Sequence, residues 1–330
     1  MTVRVGFIGV GGMAEHHINT LQKIEHAQIT AVYDINQARS EEIAEKYGAK
    51  SFESSAELID SGEVDALFIC TPPFARSGAE EVAAARKGIH LLAEKPVGLH
   101  MDEVRKIEKI IQDSGIIHTS GYCLRYLETV AKAKAYLADK QIDMVLSYRL
   151  GGMPGVRWWR MMEQSGGQLV EQSTHQLDLI RYLAGDIKEV HAYHEQRHIH
   201  NIDPEATAYD VGTVSFVMES GAIGNITSSC LSKYVGKGGT EFYGHNFFLS
   251  VDVNTLRIVD DTQDLTEVLE VDFYYEQDKA FIEAIRTNQP GLLLGDFSDA
   301  ADTLAVTLAA NESAAAGKAI TINHAKELSL

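Results

Sequence analysis

Cysteine is scarce in this chain of 330 residues: Cys70, Cys123 and Cys230 are far apart, odd in number and without metal-type spacing. That excludes a disulfide scaffold and fits a reducing cytosol, so a cytoplasmic protein is expected. Positive charge is also in short supply. The 29 Lys and Arg residues face 47 Asp and Glu, a net charge of −18, and such a surface repels phosphate backbones and anionic lipid. Neither nucleic acid nor a membrane surface is an expected partner. Long apolar runs are missing as well: no stretch is long enough to span a bilayer. Residues 1–10 carry a short apolar run ending in glycines rather than the pattern of a secretory signal.

What is present is ordinary globular material, 45% hydrophobic and 23% charged, enough to bury a real core. The length is about twice a usual domain of ~150 residues, which suggests two domains. The first third alternates strand-like and helix-like segments, the βαβ signature of a parallel sheet. Strands are expected at 3–8, 29–33, 64–70, 90–93 and 116–119, with helices at 13–24, 37–47, 76–87 and 102–112. In the last of these Val104, Ile107, Ile110 and Ile111 form a stripe at helical spacing. Beyond about Gly121 the rhythm changes to strand-like runs at 144–150, 189–198, 208–218, 222–229, 247–253 and 256–259, with helices at 172–183, 278–287 and 299–315. The expected architecture is α/β: a doubly wound Rossmann sheet in residues 1–121, then an α+β domain in 122–330 with a large open, mainly antiparallel sheet.

Gly9-Val10-Gly11-Gly12-Met13-Ala14 follows the first strand and opens the first helix, fitting the G-x-G-x-x-A dinucleotide fingerprint. Gly9 permits the tight turn, Gly11 lets backbone approach a pyrophosphate, and Ala14 allows close helix–strand packing. Asp34 ends the second strand, where a carboxylate accepts the ribose hydroxyls of NAD. A chance glycine turn would not bring that carboxylate with it. Asp34 disfavours NADP, although Arg39 keeps NADP open.

Glu94-Lys95-Pro96 lies at the carboxyl edge of the expected sheet, where ligands bind in open α/β folds; the alternative is a polar turn. Further along, Gly166-Gly167 precedes Glu171, His175 and Asp178. On one helix Glu171 and His175 share a face, with Asp178 a turn further and able to orient the imidazole. Tyr122, Arg125, Trp158, Trp159 and Arg160 are candidates for lining a pocket, because aromatic faces stack on sugar rings and guanidinium groups donate to hydroxyls. A loop anchored in the core is the other reading of the tryptophans. His191, His194, His198 and His200 invite a metal, and strand alternation would put the last three on one face. No Cys or Asp completes a tight set, and no metal is expected.

In this order and spacing, the glycine loop, Thr71-Pro72, Glu94-Lys95-Pro96, Gly121-Tyr122 with Arg125-Tyr126, and the Glu171–His175–Asp178 segment resemble the Gfo/Idh/MocA oxidoreductases. The resemblance covers nearly the whole chain. It implies a Rossmann domain followed by a sheet domain whose open face assembles a homodimer or homotetramer. It implies NAD held by Gly9, Gly11, Gly12, Met13, Asp34, Thr71, Pro72 and Glu94. Catalysis falls to Lys95, His175 and Glu171, with Tyr122, Arg125, Trp159 and Arg160 on the substrate. Two positions depart from the family pattern: Glu171 stands where an aspartate is usual, and Pro73-Phe74 replaces a polar residue and His. The expected activity is hydride transfer between the nicotinamide and a sugar, cyclitol or related polyol hydroxyl. Lys95 is the expected base or proton relay, since burial and a nearby cofactor cation both lower a lysine from its ordinary ~10.4. Two alternatives remain: an NAD-dependent glycosidase or lyase using transient oxidation, and a non-enzymatic nucleotide-sensing regulator.

Overall fold

The computed structural model describes residues 1–322. Contacts divide the chain into two units, Met1–Cys123 with Asp272–Ala301, and Leu124–Val271 with the residues from Asp302 on.

In the first unit, strands β1 (Val3–Ile8), β2 (Ala27–Tyr33), β3 (Lys50–Ser51), β4 (Ala66–Ile69), β5 (His90–Ala93) and β6 (His118–Ser120) alternate with helices α1 (Gly12–Leu21), α2 (Gln37–Tyr47), α3 (Ser55–Asp60), α4 (Ala79–Lys87) and α5 (Met101–Ser114). The sheet order is β3-β2-β1-β4-β5-β6, and every pair is parallel. This is the expected doubly wound sheet, with its order reversing between β1 and β4. The crevice beyond the carboxyl ends of those two strands is where such sheets bind ligands.

Local chemistry explains the boundaries. The Asn36 side chain caps α2 and Gly48 closes it in the left-handed conformation, the start and stop signals a helix requires. Val104, Ile107 and Ile111 are buried on α5. The helix expected from 76 begins only at Ala79, because Gly78 sits at φ +81 with the Ile107 side chain against its Cα. The core lies where Phe7 stacks on Phe68 at 5.0 Å; burying each such ring stabilises by roughly 1.5–3 kcal/mol.

The second unit holds helices α6 (Glu128–Leu137), α7 (Met162–Ser165), α8 (Gln168–Glu171), α9 (Thr174–Ala184) and α10 (Ile199–Ile202). Its strands are β7 (Met144–Leu150), β8 (Ile187–Glu195), β9 (Val211–Met218), β10 (Ile223–Ser229), β11 (Lys237–Gly244), β12 (Phe247–Val251), β13 (Thr255–Asp260), β14 (Gln263–Val268) and β15 (Ile320–Thr321). The nine strands form one sheet in the order β14-β13-β12-β11-β7-β10-β9-β8-β15, antiparallel except for the β7–β10 pair. The mainly antiparallel second sheet is as expected. Strands β11 and β14 have no counterpart among the expected runs: β11 opens with two glycines among its first three residues, and β14 is polar and largely exposed.

Two further helices follow, α11 (Phe273–Thr287) and α12 (Phe297–Ala316). Residues 272–301 group with the first unit rather than with the residues around them in sequence. The reason is apolar: Phe281, Ile282, Ala284 and Ile285 of α11 join the core built on β1 and β4, and the Phe281 ring meets Phe68 edge-on at 5.6 Å.

Candidate cofactor and catalytic site

The glycine loop turns sharply between β1 and α1. Gly9 has φ +81, and a Cβ there would lie 3.0 Å from the Thr71 backbone nitrogen. Any other residue would be strained and crowded at once. Gly11 and Gly12, by contrast, face open space, and no side chain caps α1. The helix therefore offers unobstructed backbone N–H groups, the arrangement that receives a pyrophosphate. Ala14 is buried, as the fingerprint requires for close packing.

Asp34 emerges from the end of β2 and turns back toward this loop. One carboxylate oxygen accepts the Val10 N–H at 2.8 Å and the other the Asn36 N–H at 2.9 Å. Each oxygen keeps lone pairs for a further donor such as a ribose hydroxyl. Beside it Ile35 is 94% exposed, an apolar surface unnoticed in the sequence and suited to the flat face of a base. Arg39 is already engaged, with ion pairs to Glu15 at 2.8 Å and Glu42 at 2.9 Å.

Two turns at the carboxyl ends of β4 and β5 carry Thr71-Pro72 and Glu94-Lys95-Pro96, the latter with a cis Lys95–Pro96 bond. Both are held by one buried arginine that sequence reasoning missed. Arg76 donates to the carbonyls of Ile69 (3.3 Å), Thr71 (2.9 Å), Pro96 (2.9 Å) and Glu94. Four carbonyls on one guanidinium fix the two turns relative to each other. Lys95 is half-buried, and its backbone N–H donates to the Glu94 carboxylate at 3.0 Å.

Beneath Glu94 lies a second feature missed in sequence. His17 of α1 is fully buried between Glu94 and Asp278 of α11, with Nε2 3.0 Å from Glu94 and Nδ1 2.9 Å from Asp278. Burial alone would lower the imidazole pKa, but the two carboxylates outweigh it and push His17 up to about 10. Burial also raises the Asp278 carboxyl, against the lowering effect of His17. The trio is thus a charge-bearing unit with the imidazolium at its centre. The only sequence signal for it was a His on the buried face of α1.

The second unit carries the other predicted residues. Glu171 ends α8 and His175 lies in the first turn of α9, so the single helix expected across them is two, broken at Gln172 and Ser173. The Trp159 indole N–H donates to Glu171 at 2.9 Å. Trp159 has no exposed surface and belongs to a core cluster with Ile199, Ala206, Ala208 and Cys230. Arg125 is buried and forms a two-pronged pair with Asp178, at 2.8 and 2.7 Å. Asp178 also accepts the Thr303 hydroxyl at 3.1 Å. The carboxylate expected to orient His175 is therefore committed to Arg125, because a rigid guanidinium fork matches both of its oxygens. Arg160 pairs with Asp203 at 3.7 Å. Tyr122, in the first unit, is 4% exposed.

His194, His198 and His200 do not share a strand face. β8 ends at Glu195, leaving His191 and His194 on the strand, while His198 immediately precedes α10 and His200 lies within it. The chain turns there because buried Asp210 accepts the N–H groups of Arg197, His198 and Ile199. The His194 ring stacks on Tyr209 at 3.8 Å, and burial lowers its pKa to about 4. Among the described residues no group of three or more ligating side chains could hold a metal ion, and no helix is long and apolar enough to cross a membrane.

Comparison with known proteins adds to this geometry. Residues 3–122 match the model of an oxidoreductase family with an NAD-binding Rossmann fold, and residues 130–247 match the GFO/IDH/MocA C-terminal domain. The chain is 27% identical to myo-inositol 2-dehydrogenase of Thermotoga maritima, over 89% of this chain and 91% of that one. It is 26% identical to scyllo-inositol 2-dehydrogenase (NAD(+)) of Bacillus subtilis, over 79% and 81%. In fold it is similar to levoglucosan dehydrogenase, solved with NADH and L-sorbose, with a TM-score of 0.87 at 18% identity over 98% and 100% of the two chains.

Proposed function

The chain belongs to the Gfo/Idh/MocA family of NAD-binding oxidoreductases, and from that premise we propose that it oxidises a secondary hydroxyl of a sugar or cyclitol, with Lys95 receiving the hydroxyl proton. The observation that carries the reading is the convergence, at one end of one parallel sheet, of the glycine loop, Asp34 and the braced Glu94-Lys95-Pro96 turn. NAD, when bound, supplies the hydride acceptor. Its fit rests on the open space over Gly11 and Gly12 and on the lone pairs left to Asp34. Gly9, Gly11, Gly12, Met13, Thr71, Pro72 and Glu94 complete the binding set. A 2′-phosphate would face the Asp34 carboxylate and find Arg39 already shared between Glu15 and Glu42, which favours NAD over NADP.

Lys95 has the chemistry of a base once its proton is given up, and the Arg76 brace holds its backbone in one place. His175 is the second proton-handling group, and Glu171 supports it with a carboxylate oriented by Trp159. Tyr122, Arg125 and Trp159 are buried and Arg160 is half-buried, and these four are the residues assigned to the substrate.

The protein works in the cytoplasm, consistent with three free cysteines. It assembles as a homodimer or homotetramer through the open face of the second sheet. There Met144, Leu146, Val217 and Ile223 help line a depression of ≈460 Å³.

A panel of aldoses, inositols and their acids and phosphates, read by NADH absorbance, tests the activity. Accumulation of NADH with at least one member is expected. None with any member overturns the dehydrogenase, and substrate conversion without NADH accumulation moves the protein to the class that oxidises and re-reduces one substrate.

A further inference from the structure

A cavity of ≈270 Å³ opens within the second unit, lined by Leu127, Arg149, Gln176, Leu179, Gly238 and Val251, among others. It is large enough for more than water. Arg149 is on β7, and alternation puts it on the same face as the buried residues Val145 and Ser147. It is half-buried and, among the described residues, has no side-chain hydrogen bond or ion pair. The other buried or half-buried arginines of this unit are engaged: Arg125 with Asp178, Arg160 with Asp203, Arg181 with Asp186. In a chain with 47 Asp and Glu residues, the one arginine of this group left over is among the residues lining a cavity.

Two neighbours sharpen its character. Gln176 is 8% exposed and its carbonyl oxygen has no partner, an expensive state for a buried polar atom unless a ligand or water completes it. A Cβ at Gly238 would lie 3.2 Å from the Gln176 amide nitrogen and 3.6 Å from the Arg149 Cδ, while the guanidinium lies beside Gly151. Gly238 has no positive φ, so what glycine supplies there is room between the two side chains. Two other charged residues line the cavity: one Asp252 carboxylate oxygen accepts the N–H groups of Asn254 and Thr255, and the Lys237 ammonium sits over the Tyr148 ring at 4.7 Å.

We propose that this cavity is an anion-recognising subsite, in which the Arg149 guanidinium and the Gln176 amide N–H hold a carboxylate or phosphate carried by the substrate. The inference rests on the dehydrogenase reading and narrows it: the substrate is an acid or phosphate ester of a sugar or cyclitol. Gln176 directly follows His175 in α9, so the subsite and the proposed proton-handling imidazole are carried by one helix. The arrangement also resolves how a protein of charge −18 attracts an anion, since Arg125, Arg157 and Arg160 are already occupied by carboxylates.

Binding titrations on the full chain saturated with NADH test it, using D-gluconate and D-glucose 6-phosphate as anionic probes and D-glucose and myo-inositol as neutral ones. At least one anionic probe is expected to bind tenfold or more tighter than the neutral probes, and comparing the two identifies carboxylate or phosphate. Arg149→Met should weaken that probe roughly 10- to 100-fold, and Arg149→Lys by less. Neither change should shift the neutral probes or NADH more than about threefold. Absence of an anionic preference, its survival in R149M, or equal loss of neutral and anionic binding overturns the subsite. NADH absorbance with the same probes separates the two claims. An Arg149-dependent preference without NADH from any sugar, acid or phosphate leaves the subsite standing and sinks the dehydrogenase; NADH from neutral polyols without the preference does the reverse.

Discussion

Replacing His17 by Leu removes the positive centre from between two buried carboxylates. In the native chain the imidazole bridges Glu94 and Asp278 at 3.0 and 2.9 Å, with no exposed side-chain surface of its own. Deleting one partner of a buried ion pair costs about 3–5 kcal/mol, because the charge left behind is neither solvated nor matched. For a unit of this size that corresponds to a fall in Tm on the order of 10 °C. The pH dependence identifies the cause. His17 in the folded chain titrates near 10, above its ordinary ~6.5. Its stabilisation is therefore complete below about pH 6.5 and is lost as pH rises through the folded value near 10. The gap in Tm between the native chain and H17L should be widest near neutral pH and shrink toward pH 10. Thermal unfolding followed by circular dichroism at pH 6.5, 8 and 9.5 measures it. Adding Asp278→Leu to H17L should recover part of the loss, since an apolar replacement of both partners is far less costly than an orphaned charge. A gap below about 2 °C at pH 6.5, or one that stays constant to pH 10, would refute the assignment of a charged His17.

Three other outcomes follow from the site. Lys95→Met should reduce turnover by at least 10²-fold, the scale of a lost general base, with NADH affinity nearly intact; stopped or steady-state NADH absorbance with a matched binding titration reads both, and retained activity removes Lys95 from the mechanism. A Cβ at Gly11 meets nothing within 4 Å in the protein itself, so the unfolding transition of Gly11→Ala should match the native one while NADH affinity falls at least tenfold; unchanged affinity would place the cofactor elsewhere. Dissociation constants for NADH and NADPH should favour NADH, because Asp34 repels the extra phosphate, and a tighter NADPH complex would contradict the role given to Asp34 and to the Glu15–Arg39–Glu42 cluster.

Much of the first unit was legible because its signals are local. The run of residues 3–8, the glycines after it and Asp34 lie within one βαβ unit, where a turn needs positive φ and a helix start needs free N–H groups. The strands at 144–150 and 222–229 were likewise readable from their apolar content. Strand β14 was not, since an exposed edge needs no apolar face, and the stripe of Phe281, Ile282 and Ile285 on α11 says that the helix packs without saying on what. The substrate residues were the hardest. Trp159 and Arg125 have the composition of a sugar pocket, but one indole is spent on Glu171 and one guanidinium on Asp178.

The sequence by itself determined the cofactor class and the parallel sheet that presents it, because backbone conformation and helix polarity are set by residues adjacent in the chain. Only the tertiary structure decided which charges meet. His17 reaches Glu94 across 77 positions and Asp278 across 261, and Arg149 is left without a carboxylate while its neighbours find theirs. A charged side chain carries no record in sequence of its partner: that choice is made by packing, where the penalty for an unmatched buried charge exceeds any local preference.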